Sequence, residues 1–182
     1  SPLPAYTYYG AHLTSQPPWI NRIDVYNNDV ASGSFNLKIW DTQGQQMIDL
    51  NYSVPANGVV SVVMPTQAGY LPGPGEIVLG AVEGTCAVTT ESERIRPKLS
   101  FQYGDSLSLC EFFMQPTMGW EYVLPNTIKP HFIGTGIAVM NPYGVALTVR
   151  LLAFRRGIQV GDSGPVEIGA HEKMVSVSEG IW

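Results

Sequence analysis

The segment Asn21-Arg22-Ile23-Asp24-Val25-Tyr26-Asn27 decides the fold, because it recurs as Thr135-Gly136-Ile137-Ala138-Val139-Met140-Asn141, 114 positions later. Apolar and polar side chains alternate in the first copy, which is the pattern of a β-strand with one buried face. Recurrence at a fixed spacing indicates an internal repeat, and a repeat has to be recognised before the rest of the fold is interpreted.

Other residues keep the same spacing along both segments. The further pairs are Tyr8 with Tyr122, Phe35 with Val149, Leu37 with Leu151, Trp40 with Phe154, Val54 with Ile168 and Ala56 with Ala170. Trp40 and Phe154 each precede a turn, which predicts a packing role for both. The match ends near Met64, and at this spacing the last residue, Trp182, corresponds to Ala68. The second unit therefore has no counterpart of residues 69–113 and is predicted to be a half copy.

The composition indicates an all-β protein with many turns. The chain has 19 Gly and 14 Pro against 10 Lys plus Arg, and 14% of its residues are charged, compared with roughly 25% in average soluble proteins. Gly or Pro interrupts nearly every window long enough for a helix. We predict an antiparallel β-sandwich from an internal duplication, with a first unit at residues 1–114, a linker at 115–119 and a half copy at 120–182. The half copy is expected to pack on the first unit or on a partner chain.

Charge and hydropathy exclude several classes of function. The net charge of −5 argues against nucleic-acid binding, which needs a basic surface. The chain has no apolar run near the roughly 18 residues of a membrane-spanning helix. His12, His131 and His171 have no metal-ligand spacing, so no metal or cofactor is expected. The composition and the missing N-terminal Met favour an extracellular, periplasmic or cell-surface location.

The two cysteines, Cys86 and Cys110, both lie in alternating apolar runs. An oxidising compartment favours one disulfide between them across neighbouring strands. The alternative is two buried free thiols, which are also common in proteins.

One motif suggests a hydrolase. Gly161-Asp162-Ser163-Gly164-Pro165 resembles the nucleophile segment of chymotrypsin-like serine proteases, in which a distant His acts as the base. The second Gly of that pattern is missing, no His has a matching context, and too few residues follow Ser163 for a specificity pocket. We therefore interpret the motif as a loop connecting two strands. Glu91 and Glu93 share a run with Arg94 and Arg96, which is typical of a solvated turn rather than of a catalytic carboxylate pair.

Two surface segments are candidates for ligand or partner contact. Tyr9 and Trp19, the latter preceded by Pro18, place aromatic rings near the first repeated strand, and such rings suit sugar stacking or protein contacts. Glu91 and Arg94 lie in the charged turn. The apolar residue that matches Trp19 in the second unit favours a core role for Trp19, and a ligand-contact role is the alternative.

A family resemblance rests on the repeated residues. The runs from Trp19 to Asn27 and from Phe35 to Gly44, followed by Pro55-Ala56-Asn57-Gly58, resemble a bacterial secreted immunoglobulin-like β-sandwich repeat. The second copy, Gly136 to Pro142, fits the same pattern. Repeats of this kind are mostly of unassigned function, so the resemblance implies an envelope or secreted module and no catalytic residues. Asn27 and Asn141 are expected to bond their own backbone where a strand turns.

The predicted function is therefore non-enzymatic. We expect an extracytoplasmic structural or protein-interaction module, with a protein partner or a homodimer formed through the incomplete unit, since exposed sheet edges and apolar patches promote association. A carbohydrate-binding module that uses exposed Trp and Tyr side chains is the alternative. A hydrolase that uses Ser163 or paired carboxylates is the remote alternative.

Overall fold

The computed structural model describes residues 5–66, 68–103, 109–115 and 136–177. The side chains of residues 103, 109, 110 and 177 are outside this description, as is the predicted linker after Gln115. The described residues form strands and turns without a helix. The strands are β1 (Tyr6–Leu13), β2 (Trp19–Asn27), β3 (Gly33–Trp40), β4 (Gln46–Val54), β5 (Val59–Pro65), β6 (Glu76–Val78), β7 (Gly84–Thr90), β8 (Ile95–Tyr103), β9 (Leu109–Phe113), β10 (Gly136–Met140), β11 (Leu147–Arg155), β12 (Ile158–Ile168) and β13 (Lys173–Val177). The predicted all-β class is confirmed.

Strands β1 to β9 form two sheets with a shared core. One sheet has the order β1-β7-β3-β4 and the other has the order β6-β5-β2-β8-β9. All of these pairs are antiparallel except β5 with β6, which is parallel. The β3–β4 hairpin turns at Asp41–Gly44, as predicted, where the Asp41 side chain accepts the backbone N–H groups of Gln43 and Gln45 at 2.8 and 2.9 Å.

The core consists of the apolar residues that alternate along these strands. Ile23 and Val25 on β2 and Leu37 and Ile39 on β3 are fully buried, and Tyr8 on β1 packs in the same cluster. Alternation with period two places every second side chain between the sheets, so the sequence pattern and the buried face coincide. Full burial of one such side chain contributes about 1.5–3 kcal/mol.

Strands β10 to β13 form two separate two-stranded ladders, β10–β13 and β11–β12. The register of β10–β13 matches that of β2–β5 at a spacing of 114 residues, and the register of β11–β12 matches that of β3–β4 from Leu147 to Arg150, beyond which a bulge shifts it by one residue. Val25 faces Val60 across β2 and β5, and Val139 faces Met174 across β10 and β13. Gly33 faces Val54 across β3 and β4, and Leu147 faces Ile168 across β11 and β12.

The two asparagines that end β2 and β10 make the same hydrogen bonds. The Asn27 side-chain amide donates to the carbonyls of Ala31, Val54 and Pro55, while its oxygen accepts the Asp29 N–H at 2.9 Å. The Asn141 amide donates to Val145, Ile168 and Gly169, while its oxygen accepts the Tyr143 N–H at 3.0 Å. Each partner in the second set lies 114 positions after its counterpart in the first. The expected local role of both asparagines is confirmed, and each also joins two strands.

Backbone geometry repeats as well. Asn57 and His171 are both left-handed, with φ of 48° and 59°. The Asn57 N–H donates to Asp29 and the His171 N–H donates to Tyr143, at 2.9 and 3.2 Å. These residues occupy the same position in the turn before β5 and the turn before β13.

Three expectations about individual residues were wrong. Phe154 does not pack like Trp40, because its side chain is 61% exposed while that of Trp40 is 8% exposed. Ser163 lies inside β12 rather than in a connecting loop. Gln115, assigned to the linker, is paired with β1, where its carbonyl accepts the Tyr9 N–H at 3.1 Å.

Candidate functional site

The second unit lies against one end of the first through a compact joint. The rings of Trp40 and His171 stack with centroids 4.7 Å apart, and the Thr85 hydroxyl donates to the His171 carbonyl at 3.0 Å. Gly44 at the tip of the β3–β4 hairpin faces the Ala170 carbonyl so closely that a Cβ at this position would collide with it. The turn before β13 is therefore held by stacking, a hydrogen bond and close backbone packing.

A cleft of about 550 Å³ opens beside this joint, and we call it the interunit cleft. Lys173 and Val175 of β13 form one wall. The first unit supplies the other walls, which include His12, Thr14, Gln16, Trp19, Thr42, Glu83 and Phe101. The site exists only because residues from both units meet there.

Lys173 has the most constrained position in the cleft. Its Nζ donates to the Leu13 carbonyl at 2.7 Å and lies 3.0 Å from Nδ1 of His12. Burial lowers the pKa of Lys173 to about 8, although Glu83 and Cys86 act in the opposite direction. Burial, followed by the charge of Lys173, lowers the pKa of His12 to about 4. At neutral pH a cationic lysine therefore lies beside a neutral imidazole, with the exposed carboxylate of Glu83 at the rim.

A second feature is an apolar surface on the second unit, which we call the open face: Ile137, Val139, Val149, Leu151 and Ala153. The residues 114 positions earlier are Ile23, Val25, Phe35, Leu37 and Ile39, all of which are buried. The residues of the open face are only partly buried. Equivalent positions thus form a closed core in the first unit and a half-exposed surface in the second.

The strand pairing also differs between the units. Strands that are paired along both edges in the first unit have counterparts paired along one edge among the described residues of the second. In the first unit β3 pairs with β4 and β7, and β2 pairs with β5 and β8. Within the described part of the chain, β11 pairs only with β12, and β10 pairs only with β13. Among the described residues, each of these strands is thus paired along one edge.

The structure separates the predicted contact residues into two groups. Trp19 is half-buried and lines the interunit cleft, and Pro18 precedes it. Glu91 and Arg94 are exposed in the turn between β7 and β8, at the opposite end of β2. At roughly 3.3 Å per residue, the nine residues of β2 separate these ends by about 26 Å. A small ligand cannot contact both groups at once, whereas a protein partner would need an interface that extends along the whole of β2.

Tyr9 does not line the interunit cleft. It is half-buried on β1, and burial, with a smaller contribution from Tyr143, raises the pKa of its phenol. Its strand partner in the sheet is Ala87. Tyr9 therefore lies close to the contact between the units and not beside Trp19 in the cleft wall.

The predicted disulfide between Cys86 and Cys110 is not present in this structure, because Cys86 is a buried free thiol. Cys86 lies on β7 and Cys110 on β9, and these strands belong to different sheets. The side chain of Cys110 is outside the described residues. Burial raises the pKa of Cys86 to about 12, so this thiol is protonated at physiological pH and is a poor nucleophile.

Ser163 has a structural role that accounts for its motif. Its hydroxyl accepts the Leu151 N–H at 2.9 Å and donates to the Gly164 carbonyl at 2.7 Å. The register of β11 and β12 shifts here, and Gly164 adopts a φ of 66°. Arg150 holds Asp162 by a hydrogen bond at 2.8 Å from Nε and lowers the pKa of that carboxyl to about 2. The motif thus forms a β-bulge, and no hydrogen bond between Ser163 and a described histidine supports a base for it.

The carboxylates also lack a catalytic arrangement among the described residues. Glu111 is paired with Lys98 at 3.0 Å, and Glu91 and Glu93 are exposed in a turn. His131 lies outside the described residues. In the described ranges no group of three or more His, Cys, Asp or Glu side chains could hold a metal ion.

Comparisons with known proteins found no match to a family model, to a curated protein or to a solved structure. Among the described residues there is no helix of the length and hydropathy needed to cross a membrane. The basis for a functional proposal is therefore the geometry of the described residues.

The sequence analysis did not identify Lys173, His12 or Glu83 as site residues. One signal was available for Lys173, because the residue 114 positions earlier is the apolar Val59. No comparable signal marked His12 or Glu83, which are distant in the sequence and meet only through the packing of the units.

Proposed function

We propose that this protein is a non-enzymatic extracytoplasmic module that binds a protein partner by adding β-strands to its second unit. The observation that carries the proposal is the contrast between the closed core of the first unit and the open face of the second. An extended polypeptide adds to a sheet edge through main-chain hydrogen bonds, and alternate side chains fill an apolar face. Leu151 and Val149 on β11 occupy the positions that such side chains would cover.

We further propose that the two units arose by duplication and belong to an immunoglobulin-like sandwich type. The equal registers of β2–β5 and β10–β13, the equal hydrogen bonds at Asn27 and Asn141, and the left-handed residues Asn57 and His171 support this. In the first unit, β7 covers one edge of β3, and its residues Cys86 and Val88 are fully buried in the core. The partner strand should resemble β7, with small or β-branched apolar residues at alternate positions.

Two adjacent leucines on β11 provide a matched test. Leu151 belongs to the open face, while Leu152 is 44% exposed at the position equivalent to Lys38. We expect Leu151→Glu to abolish partner binding, because it places a charge where a strand must pack. Leu152→Glu should leave binding within about twofold, since it alters neither the open face nor the main chain.

The first partner to test is a second copy of the chain, because the open edge and face are present on every molecule. Sedimentation velocity over a wide range of concentration measures the dimer, and hydrogen exchange measures protection of the β11 amides. Dimerisation that is lost in Leu151→Glu and kept in Leu152→Glu supports the proposal. A wild-type monomer in which the β11 amides that point away from β12 are already protected would contradict it, because the edge would then be covered within the chain.

A carbohydrate-binding function is the second candidate, and the position of Trp19 in the interunit cleft favours it. The pairing of Trp19 with Tyr9 as a sugar platform has no support, since Tyr9 does not line this cleft. A saccharide site in this cleft would therefore not include Tyr9.

A further inference from the structure

We propose that the interunit cleft binds an acidic saccharide, with Lys173 contacting a carboxylate and Trp19 contacting the face of a sugar ring. This site is separate from the open face, and it goes beyond the proposed strand pairing without depending on it. Its chemistry comes from one cation, two aromatic rings and several short polar groups that meet only where the units join.

The position of Lys173 is the strongest argument for an anionic group in the ligand. At the same place in the first unit stands Val59, which is 48% exposed, whereas Lys173 is partly buried. Burying part of an ammonium group costs free energy unless it is well paired. The described contacts of Nζ, with the Leu13 carbonyl and His12 Nδ1, use two of its three hydrogens. A ligand carboxylate would take the third and would restore the pairing.

The opposite wall of the cleft suits a sugar ring. Trp19 and Phe101 both line it, and aromatic faces stack on the apolar faces of sugars. Gln16 and Thr42 are exposed at the rim and offer an amide and a hydroxyl. A volume of about 550 Å³ falls within the range of roughly 300–1,000 Å³ typical of small-ligand sites.

Glu83 favours a saccharide over an acidic peptide. Its carboxylate lies at the rim and accepts the Ser15 hydroxyl at 2.9 Å. A carboxylate can accept further sugar hydroxyls, but it repels a ligand carboxylate that lies directly against it. A uronic-acid ring, with one carboxylate for several hydroxyls, fits both Lys173 and Glu83, whereas an acidic peptide offers Glu83 no hydroxyls.

The test compares trigalacturonate with galactotriose, which differ in carrying a carboxylate or a hydroxymethyl group on each ring. Binding is measured by NMR titration of the full chain at neutral pH. We expect trigalacturonate to bind and galactotriose to bind about tenfold more weakly, a difference of about 1.4 kcal/mol. Lys173→Met should remove this preference, while Lys173→Arg should retain it. Lys38→Met, which removes a half-buried lysine on β3 that does not line the cleft, should have no effect.

A pH series distinguishes direct binding by Lys173 from a merely structural role. Only direct binding should make the affinity for trigalacturonate follow the charge of Lys173. The pKa of Lys173 is about 8, and the titratable groups that face it are His12 on β1 and Glu83 and Cys86 at β7. Of these, His12 titrates near pH 4 and Cys86 near pH 12, so neither changes charge close to pH 8. Trigalacturonate binding should weaken as the pH rises above about 8 in the wild type and should not weaken there in Lys173→Arg.

Several outcomes would overturn the proposal. They are the absence of trigalacturonate binding, equal binding of galactotriose, an undiminished preference in Lys173→Met, and unchanged binding in Trp19→Ala. A glutamate oligopeptide that binds as tightly as trigalacturonate would assign the cleft to acidic peptides instead. Thermal unfolding of each variant checks its fold, and Trp19→Phe, which keeps an aromatic face, should retain binding. Leu151→Glu should bind trigalacturonate normally, so a failure here is distinguishable from a failure of the strand-pairing proposal.

Discussion

At the scale of single residues, the side chains of Asn27 and Asn141 each form several hydrogen bonds with the backbone. Each closes a turn through its side-chain oxygen and satisfies three carbonyls through its amide. Buried carbonyls need a donor, and few side chains other than Asn can donate to several carbonyls while accepting one N–H. The sequence predicted the turn contact because it is local, but the contacts with Val54 and Ile168 depend on strand packing.

We expect Asn27→Ala to lower the free energy of unfolding by about 3 kcal/mol, because it removes several hydrogen bonds of a buried side chain, including one to the carbonyl of the buried Val54. Asn28→Ala is the matched control. Asn28 is adjacent and exposed, so its loss should change stability by less than about 0.5 kcal/mol. Denaturant unfolding measures both values. Equal effects of the two substitutions would show that the Asn27 contacts contribute little.

At the scale of elements, period-two alternation predicted most of the strands and the face that each one buries. It placed Ile23 and Val25 in the core correctly, since β2 is covered on both edges by other strands. It failed at Phe154 and Ser163 for a physical reason. Alternation gives no information on whether a covering strand exists, and a bulge in β12 depends on the local geometry of Asp162 and Gly164.

The joint depends on how closely two turns approach each other. Gly44→Ala should destabilise the contact between the units, because φ is +74° and the added Cβ would meet the Ala170 carbonyl. Gly157 provides the control, since it also has positive φ in the hairpin turn of β11 and β12 but has open space around it. Gly157→Ala should cost about 1 kcal/mol from backbone strain alone.

The measurement for this pair is hydrogen exchange at the joint together with unfolding. Gly44→Ala should increase exchange in the turn before β13, including His171, whereas Gly157→Ala should not. If both variants change only the global stability and by the same amount, the contact between Gly44 and Ala170 does not hold the units together.

At the scale of the whole molecule, the sequence predicted a second unit with an uncovered surface but not the cleft. The uncovered surface follows from one spacing, 114 residues, applied along the chain. The cleft requires the relative placement of β1, the start of β7 and β13, which no local pattern encodes. Lys173 could have been singled out as a charge at an apolar position, yet its contacts with Leu13 and His12 could not.

This placement makes the pH dependence of stability a test of the joint. The pKa of His12 is lowered from 6.5 to about 4 by burial and by Lys173. Between these pH values the unfolded chain binds a proton at His12 that the folded protein does not bind. Stability should therefore fall as the pH decreases from about 6.5 to 4. The pKa of Lys173 is lowered from 10.5 to about 8. Stability should therefore increase as the pH rises from about 8 to 10.5.

His12→Gln tests the acid interval, because it removes the titrating group and keeps a side chain that accepts a hydrogen bond from Lys173. Denaturant unfolding at several pH values gives the free energy of unfolding of the wild type and of His12→Gln. The difference between the two removes the contribution of the carboxylates, which are common to both proteins. We expect the wild type to lose stability relative to His12→Gln as the pH decreases from about 6.5 to 4, with no further relative change below about 4. A constant difference over this interval would mean that His12 titrates as it does in the unfolded chain. Lys173 and its strand would then not cover it in solution.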